Sequence, residues 1–287
     1  MLFRSDSGLT NRALFTGTDY TLYVEGGGGV AGAGSSDVIF WGDTVRALRP
    51  ELRVTVVAYG GKPELETMAE KVRKQEIKNT IVALDSDFDE ILDERKDHPN
   101  ILYTYGYSWE NDAFCGERLG ATLCRLLKVE NVSVAQLDSI KEGIDDILRR
   151  LIPWVNADFW LRTMNSSLFP KISPGRFLSN APGTFEVSLN VKELWKLFKV
   201  QMKSVSVEHR KSRPAVWLTS ASCFLHGHTI QALMKCVLSY AVRLLGKKVT
   251  ITDDLMEHVM ISAFCQHITR SNDHRSAHYK YYLSRVA

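Results

Sequence analysis

The hydrophobic and polar positions of the chain follow two different patterns. In the first ~110 residues, short apolar runs rich in β-branched and aromatic residues are separated by segments with helical spacing. These patterns predict strands at 20–25, 53–58, 79–84 and 100–104, and helices at 37–48 and 63–76. Short apolar strands that alternate with helices are typical of a parallel sheet covered on both faces. We therefore predict an α/β fold in which a mostly parallel sheet is flanked by helices.

After residue 112 the pattern is mainly helical. The spacing of apolar residues predicts helices at 110–128, 136–152, 154–167, 190–204, 228–245 and 252–268. Prolines and glycines between 170 and 183 indicate an irregular connector among these helices. We expect a division into an α/β domain, 1–112, and a mainly helical C-terminal region, 113–287.

Composition and charge narrow the class of protein. The 287 residues are 45% hydrophobic and 24% charged, which is ordinary for a globular protein, and no apolar run reaches the ~18 residues of a membrane span. The N-terminus has no apolar signal segment, and five cysteines without a C-x-x-C pair indicate reduced thiols. We therefore expect a cytoplasmic protein with no membrane partner. From Lys192 onward there are fifteen Lys and Arg against six Asp and Glu, which favours a polyanionic substrate or else a solvated helical surface.

A glycine-rich stretch follows the first predicted strand. Gly27, Gly29 and Gly32 fit the dinucleotide pattern G-x-G-x-x-G, but no helix begins directly on them. The spacing also approaches that of a P-loop, but Ser35 stands where its lysine should be. A flexible loop is the better interpretation. This leaves Glu25, the carboxylate at the end of the strand, as the candidate functional residue of the segment.

A second group of carboxylates follows the third predicted strand. Alternation in an extended chain would place Asp85, Asp87 and Asp89 on one side. Several like charges at one strand end repel one another unless a cation lies among them, and Mg²⁺ prefers carboxylate oxygens. The alternative is an acidic turn that caps a following helix. An EF-hand is excluded, because Glu90 and Lys96 occupy its glycine and glutamate positions.

The motifs YVEG (23–26) and LDSDFD (84–89) resemble those of the TOPRIM domain, which topoisomerases, primases and OLD-family nucleases share. The segments 37–41 (DVIFW), 59–62 (YGGK), 107–111 (YSWEN) and 227–228 (GH) are similar to an OLD-related TOPRIM-like family formerly of unknown function. That family has a compact VEG-x-x-D-x-x-F motif. Here about eight additional residues separate Glu25 from Asp37, so the sequence does not assign Asp37 to the site.

The resemblance implies a TOPRIM-like fold in which Glu25, Asp85, Asp87 and Asp89 hold Mg²⁺. It implies catalysis by Glu25, Asp85, Asp87 and Lys62, with Lys62, Glu110 and His228 facing the substrate. Three of these roles have alternatives in the sequence. Lys62 could be a surface lysine, Glu110 a helix-start residue favoured by the helix dipole, and His228 a structural residue that opens a helix.

The resemblance also implies a function, that of an Mg²⁺-dependent endonuclease in bacterial anti-phage defence. The expected substrate is host RNA, in particular tRNA, and cleavage is expected when an ATPase partner releases the nuclease. A homodimer is expected. An OLD-like DNA nuclease and a non-catalytic regulatory subunit are the alternatives. The C-terminal Tyr279, Tyr281 and Tyr282 would either stack on RNA bases or lie in the core.

Overall fold

The computed structural model describes residues 5–26, 35–114, 118–170, 172–180, 187–206, 208–211, 216–270 and 277–285. The chain forms two compact units, of which the first combines Met1–Asp112 with Met260–Ala287 and the second is Ala113–Val259. The region 113–287, expected from the sequence as one helical part, is therefore divided between the units. Within the described ranges, no helix has the length and apolar character needed to cross a membrane.

The first unit contains a four-stranded sheet, and all its strands are parallel. In chain order they are β1 Tyr20–Val24, β2 Val54–Ala58, β3 Thr80–Leu84 and β4 Ile101–Tyr103. The spatial order is β2-β1-β3-β4, with Leu22 of β1 opposite Val56 of β2 and Ile81 of β3. The predicted α/β architecture is confirmed.

Helices cover both faces of this sheet. Those of the first unit are α1 Asp6–Thr16, α2 Ser36–Leu48, α3 Lys62–Arg73, α4 Trp109–Ala113, the end of α10 Asp253–Arg270, and α11 Ala277–Arg285. Tyr23 and Val82 pack on one face with Leu9 of α1 and Leu65 of α3. Neighbouring strand residues point the other way, and there Gly42 of α2 lies so close to Val56 that an added Cβ would be 3.2 Å from it.

The sequence did not predict α1 or α11. The Ser5 hydroxyl accepts a hydrogen bond from the Gly8 amide at 3.1 Å, which caps the start of α1. Tyr282 of α11 is fully buried, and its ring packs edge-on against Trp41 at 5.9 Å and Phe264 at 5.9 Å. Of the C-terminal tyrosines, Tyr282 therefore belongs to the core.

The second unit is mainly helical, as predicted. Its elements are α5 Leu119–Leu127, α6 Val134–Arg162, β5 Leu178–Asn180, β6 Val187–Leu189, α7 Val191–Met202, α8 Ala221–Phe224, α9 Gly227–Leu244 and the start of α10. The predicted helix 110–128 is represented by α4 and α5, which are separate elements. The strands β5 and β6 pair antiparallel inside the segment predicted as an irregular connector.

The predicted division into helices 136–152 and 154–167 is wrong, because α6 is one helix with Pro153 inside it. A proline within a helix removes one hydrogen bond and costs roughly 3 kcal/mol. The apolar face of α6 continues on both sides of Pro153, with Ile147, Leu151 and Val155 all buried. Burial of a large apolar side chain contributes about 1.5–3 kcal/mol, so a few such residues offset the proline.

Candidate active site

Ionisable side chains follow the end of each strand of the parallel sheet. Glu25 directly follows β1, Asp85 directly follows β3, and Glu110 lies in α4 after β4. Lys62 begins α3, four residues after the end of β2. Because the strands are parallel, their carboxyl ends share one edge of the sheet, which is where open α/β sheets bind ligands.

Two glycines bring the β2–α3 turn close to Glu25. Gly60 has a φ of +64°, a conformation that glycine adopts without strain, and its carbonyl accepts the Gly26 amide at 2.9 Å. A Cβ added to Gly61 would lie only 3.9 Å from Glu25 Oε1. The turn thus places Lys62 at the same edge as Glu25. Residues 27–34, with the predicted dinucleotide-like glycines, lie outside the described part of the chain.

The aspartate segment is a turn, so the predicted extended alternation from Asp85 to Asp89 is wrong. The backbone leaves the extended region at Asp87, whose φ is 46°. The Asp87 amide donates to Tyr107 O at 2.7 Å, and the Asp89 amide donates to Ser86 O at 2.8 Å. Residues 87–93 continue as turns, so the acidic segment does not cap a helix there. Asparagine and aspartate tolerate a positive φ better than most residues, which suits Asp87 to this position.

Lys62 bridges the two later aspartates. Its Nζ lies 2.6 Å from Asp87 Oδ2 and 2.7 Å from Asp89 Oδ2, and its side chain is only 17% exposed. Burial alone would lower the Lys62 pKa, but the charges and hydrogen bonds of both aspartates outweigh it, so the pKa is raised. Lys62 is therefore a largely covered, charged component of the acidic turn, and the surface-lysine interpretation is wrong.

Asp37 joins this group of carboxylates, although the sequence did not assign it. It lies in the first turn of α2, and its carboxylate accepts a hydrogen bond from the Ser35 hydroxyl at 3.1 Å. Burial raises the Asp37 pKa to about 7, with further contributions from the charges of Glu110 and Glu25. The eight or so additional residues after Glu25 therefore do not separate Asp37 from the site.

Asp85 lies among the other carboxylates. Burial raises its pKa well above the ordinary value, and the charges of Asp37, Glu110, Asp87 and Glu25 raise it further, in that order. We call Glu25, Asp37, Asp85, Asp87 and Glu110 the carboxylate cluster. Ionisation of Asp37 and Asp85 is thus disfavoured by the neighbouring carboxylates, and a cation among them would relieve this repulsion.

Glu110 serves both as a helix residue and as a member of the carboxylate cluster. It lies in the first turn of α4, where a negative charge interacts favourably with the helix dipole. Its side chain is buried, and Glu110 Oε2 accepts the Ser108 hydroxyl at 2.6 Å. Glu110 therefore is a residue of the helix start, as one interpretation of the sequence had it, and its predicted role towards substrate stays a prediction.

The chemistry of the cluster fits a hard divalent cation such as Mg²⁺. Its donors are carboxylate oxygens, and the neighbouring Asp89 Oδ1 is buried without a hydrogen-bond partner. Among the described His, Cys, Asp and Glu residues, no group of three is already arranged to hold a metal ion. The carboxylates thus form an electrostatic cluster rather than a finished coordination shell. Binding would require side-chain adjustment, beginning with the aspartates that Lys62 holds.

His228, the remaining predicted site residue, lies in the second unit. It is the second residue of α9, it is exposed, and its ring centroid is 5.6 Å from that of His226. Its predicted contact with substrate stays a prediction.

Comparison of the chain with protein-family models and with curated proteins found no match.

Proposed function

We propose that the protein is an Mg²⁺-dependent TOPRIM-like endonuclease. The observation that supports this most is the carboxylate cluster at the carboxyl edge of a parallel sheet, where burial and the charges of Glu110 and Glu25 raise the pKa values of Asp37 and Asp85. A structural role does not require several like charges to be buried together, since each raises the free energy of the ionised neighbours. A site that binds a cation gains from this arrangement.

In this proposal Glu25, Asp85 and Asp87 hold Mg²⁺, and Asp37, Asp89 and Glu110 supply the surrounding negative charge. The bound ion would activate water and stabilise the leaving oxygen of a phosphodiester. Lys62 is already charged and directed at Asp87 and Asp89. With Mg²⁺ held by the carboxylates, the Lys62 ammonium would be available to bind the scissile phosphate.

The substrate class follows from the resemblance of the sequence. Its motifs resemble those of AriB, the toxin nuclease of the PARIS anti-phage system, which suggests RNA, and tRNA in particular, as the substrate. The same resemblance suggests a homodimer, an ATPase partner that restrains activity, and a cytoplasmic role in bacterial defence. An OLD-like DNA nuclease is the competing substrate class.

The test compares the wild-type chain with Glu25→Gln and Asp85→Asn, each incubated with total tRNA or duplex DNA in Mg²⁺ or EDTA. We expect RNA cleavage only with Mg²⁺, and a loss of about 10²- to 10⁴-fold in rate in either variant. Glu76→Gln is the matched control, because Glu76 is an exposed carboxylate of the same unit. Cleavage that persists in EDTA or in Glu25→Gln would contradict the proposal, and cleavage of DNA alone would assign the protein to the OLD-like class.

A further inference from the structure

One face of α7 combines lysines with an exposed aromatic ring. Lys192, Trp195, Lys196 and Lys199 are spaced i, i+3, i+4 and i+7, so they share one side of the helix. Together they line a shallow depression of about 540 Å³. We call these four residues the α7 face.

Trp195 is an exposed aromatic residue among buried neighbours in α7. Leu194 and Leu197 are buried, whereas Trp195 is 51% exposed. The ring is nevertheless held in place, because it packs edge-on against Trp154 at 5.3 Å and Phe198 at 5.8 Å. Packing within the unit thus fixes the orientation of the indole and leaves about half of its surface uncovered.

The charge around this ring is positive. Lys192 and Lys199 are exposed, and neither forms an ion pair with any residue that the structure describes. Lys196 lies 3.3 Å from Glu193 Oε2, and Glu193 also lies 3.4 Å from Arg176. The Glu193 carboxylate therefore contacts two cations, Lys196 and Arg176, and the ammonium groups of Lys192 and Lys199 remain for an external anion.

We propose that the α7 face binds unpaired nucleotides of a nucleic-acid strand. A base stacks on the exposed side of Trp195, and Lys192 and Lys199 contact the flanking phosphates. Aromatic platforms beside cationic side chains are how proteins bind single strands, because every base has a π-face and every linkage a negative charge. Stacking and phosphate contacts do not require a 2′-hydroxyl, so the α7 face by itself does not distinguish RNA from DNA. The expectation that the strand is RNA rests on the proposed function.

Fluorescence anisotropy of a labelled oligouridine tests the proposal, with the full chain in EDTA so that no cleavage occurs. Trp195→Ala should weaken binding by about 5- to 150-fold, the equivalent of one lost stacking contact. Trp217→Ala is the matched control, because Trp217 is also exposed but lies outside any helix. It should change affinity by less than about twofold.

A second variant does not depend on the packing of Trp195. Lys192→Gln with Lys199→Gln should reduce the slope of log K against log salt by about 1.4, as expected for two phosphate contacts to a single strand. Lys247→Gln with Lys248→Gln, two exposed lysines of the same unit, is the control and should leave the slope unchanged. Duplex RNA should bind more weakly than the oligouridine, and the corresponding DNA oligonucleotide should bind about equally.

The proposed role of the α7 face is contradicted if Trp195→Ala has the affinity of its control and the double lysine variant has the salt dependence of its control. That result would leave the proposed nuclease untouched, because cleavage depends on Glu25 and Asp85. Conversely, Glu25→Gln should lose cleavage and keep oligouridine binding. If the wild-type chain bound oligouridine but cleaved no nucleic acid in Mg²⁺, only the proposed function would be contradicted.

Discussion

At the scale of single residues, we expect Lys62 to stabilise the acidic turn when no metal ion is bound. Its ammonium contacts both Asp87 and Asp89 within 2.7 Å, and Asp89 is almost fully buried. Lys62→Met would leave these two carboxylates without their cation. Removing one partner of a buried ion pair typically costs 3–5 kcal/mol, and we expect about 3 kcal/mol here because Asp87 is partly exposed. Urea unfolding in EDTA measures the loss.

Lys74→Met is the control for Lys62→Met. Lys74 ends the same helix, α3, and lies 3.6 Å from Glu70 at the exposed surface. Exposed pairs of this kind contribute roughly 0–1 kcal/mol. Mg²⁺ should restore part of the stability of Lys62→Met, since the ion replaces the missing positive charge, and should not change that of Lys74→Met. Equal destabilisation of both variants would show that Lys62 does not hold the turn.

The residues of the site differ in how far the sequence predicts them. Glu25 and Asp85 could be placed together because each ends an apolar run, and parallel strands share an edge. Asp37 could not, because the residues between it and Glu25 include a glycine-rich segment whose path the local pattern does not determine. The turn at Asp87 depends on a hydrogen bond to Tyr107, twenty residues further along, which local pattern also does not contain.

At the scale of elements, α11 supports the segment that carries Glu110. Asp112 is fully buried and accepts hydrogen bonds from the Tyr105 amide at 2.9 Å, the Gly106 amide at 2.8 Å and the Tyr282 hydroxyl. Tyr282→Phe keeps the ring packing and removes one donor from this carboxylate. Hydrogen bonds to charged groups contribute about 1.5–3 kcal/mol, so we expect a loss of stability in that range by urea unfolding.

Tyr281→Phe is the matched control on the same helix. The Tyr281 hydroxyl lies 3.4 Å from the Thr104 carbonyl, a longer contact with an uncharged group. Its loss should cost less than about 1 kcal/mol. If Tyr281→Phe were the more destabilising of the two variants, the Asp112 network would not be what attaches α11.

Elements were predictable where one long apolar face determines them, and less so elsewhere. The four strands and α2, α3, α7 and α9 follow from local periodicity. The three-residue strands β5 and β6 are too short to show alternation. In α6, Pro153 gave the stronger local signal, but the continuous apolar face on both sides of it determines the structure.

At the scale of the whole molecule, the sequence could not show that the last 28 residues belong with the first 112. Their helical pattern matches that of the second unit. The contacts that define their place, such as Tyr282 with Asp112, join residues 170 positions apart. Contacts between residues so far apart in the chain produce no local pattern of apolar and polar residues from which they could be predicted.

The stability of the whole molecule should depend on pH through the carboxylate cluster. In the folded chain the Asp37 pKa is raised from 3.8 to about 7, so the folded state binds this proton more tightly than the unfolded state. Without metal, the contribution of Asp37 to the free energy of unfolding is therefore fully present below about pH 4. It decreases as the pH rises towards 7 and is lost above about pH 7. Glu70 acts in the opposite direction. Because its pKa is lowered from 4.5 to about 2, its stabilising contribution is fully present above about pH 5 and is lost only as pH falls towards 2.

Mg²⁺ should act where the carboxylates are ionised. A cation that binds only the folded state raises its stability by mass action, and it competes with protons for the same oxygens. Thermal unfolding should therefore show a larger gain from Mg²⁺ at about pH 8 than at about pH 5, with about 2–4 °C for each kcal/mol gained. Asp37→Asn removes the titrating group, so its metal-free melting temperature should vary less between these two pH values than that of the wild type. If the melting temperature of Asp37→Asn varied with pH as that of the wild type does, the repulsion within the carboxylate cluster would not affect the stability of the fold.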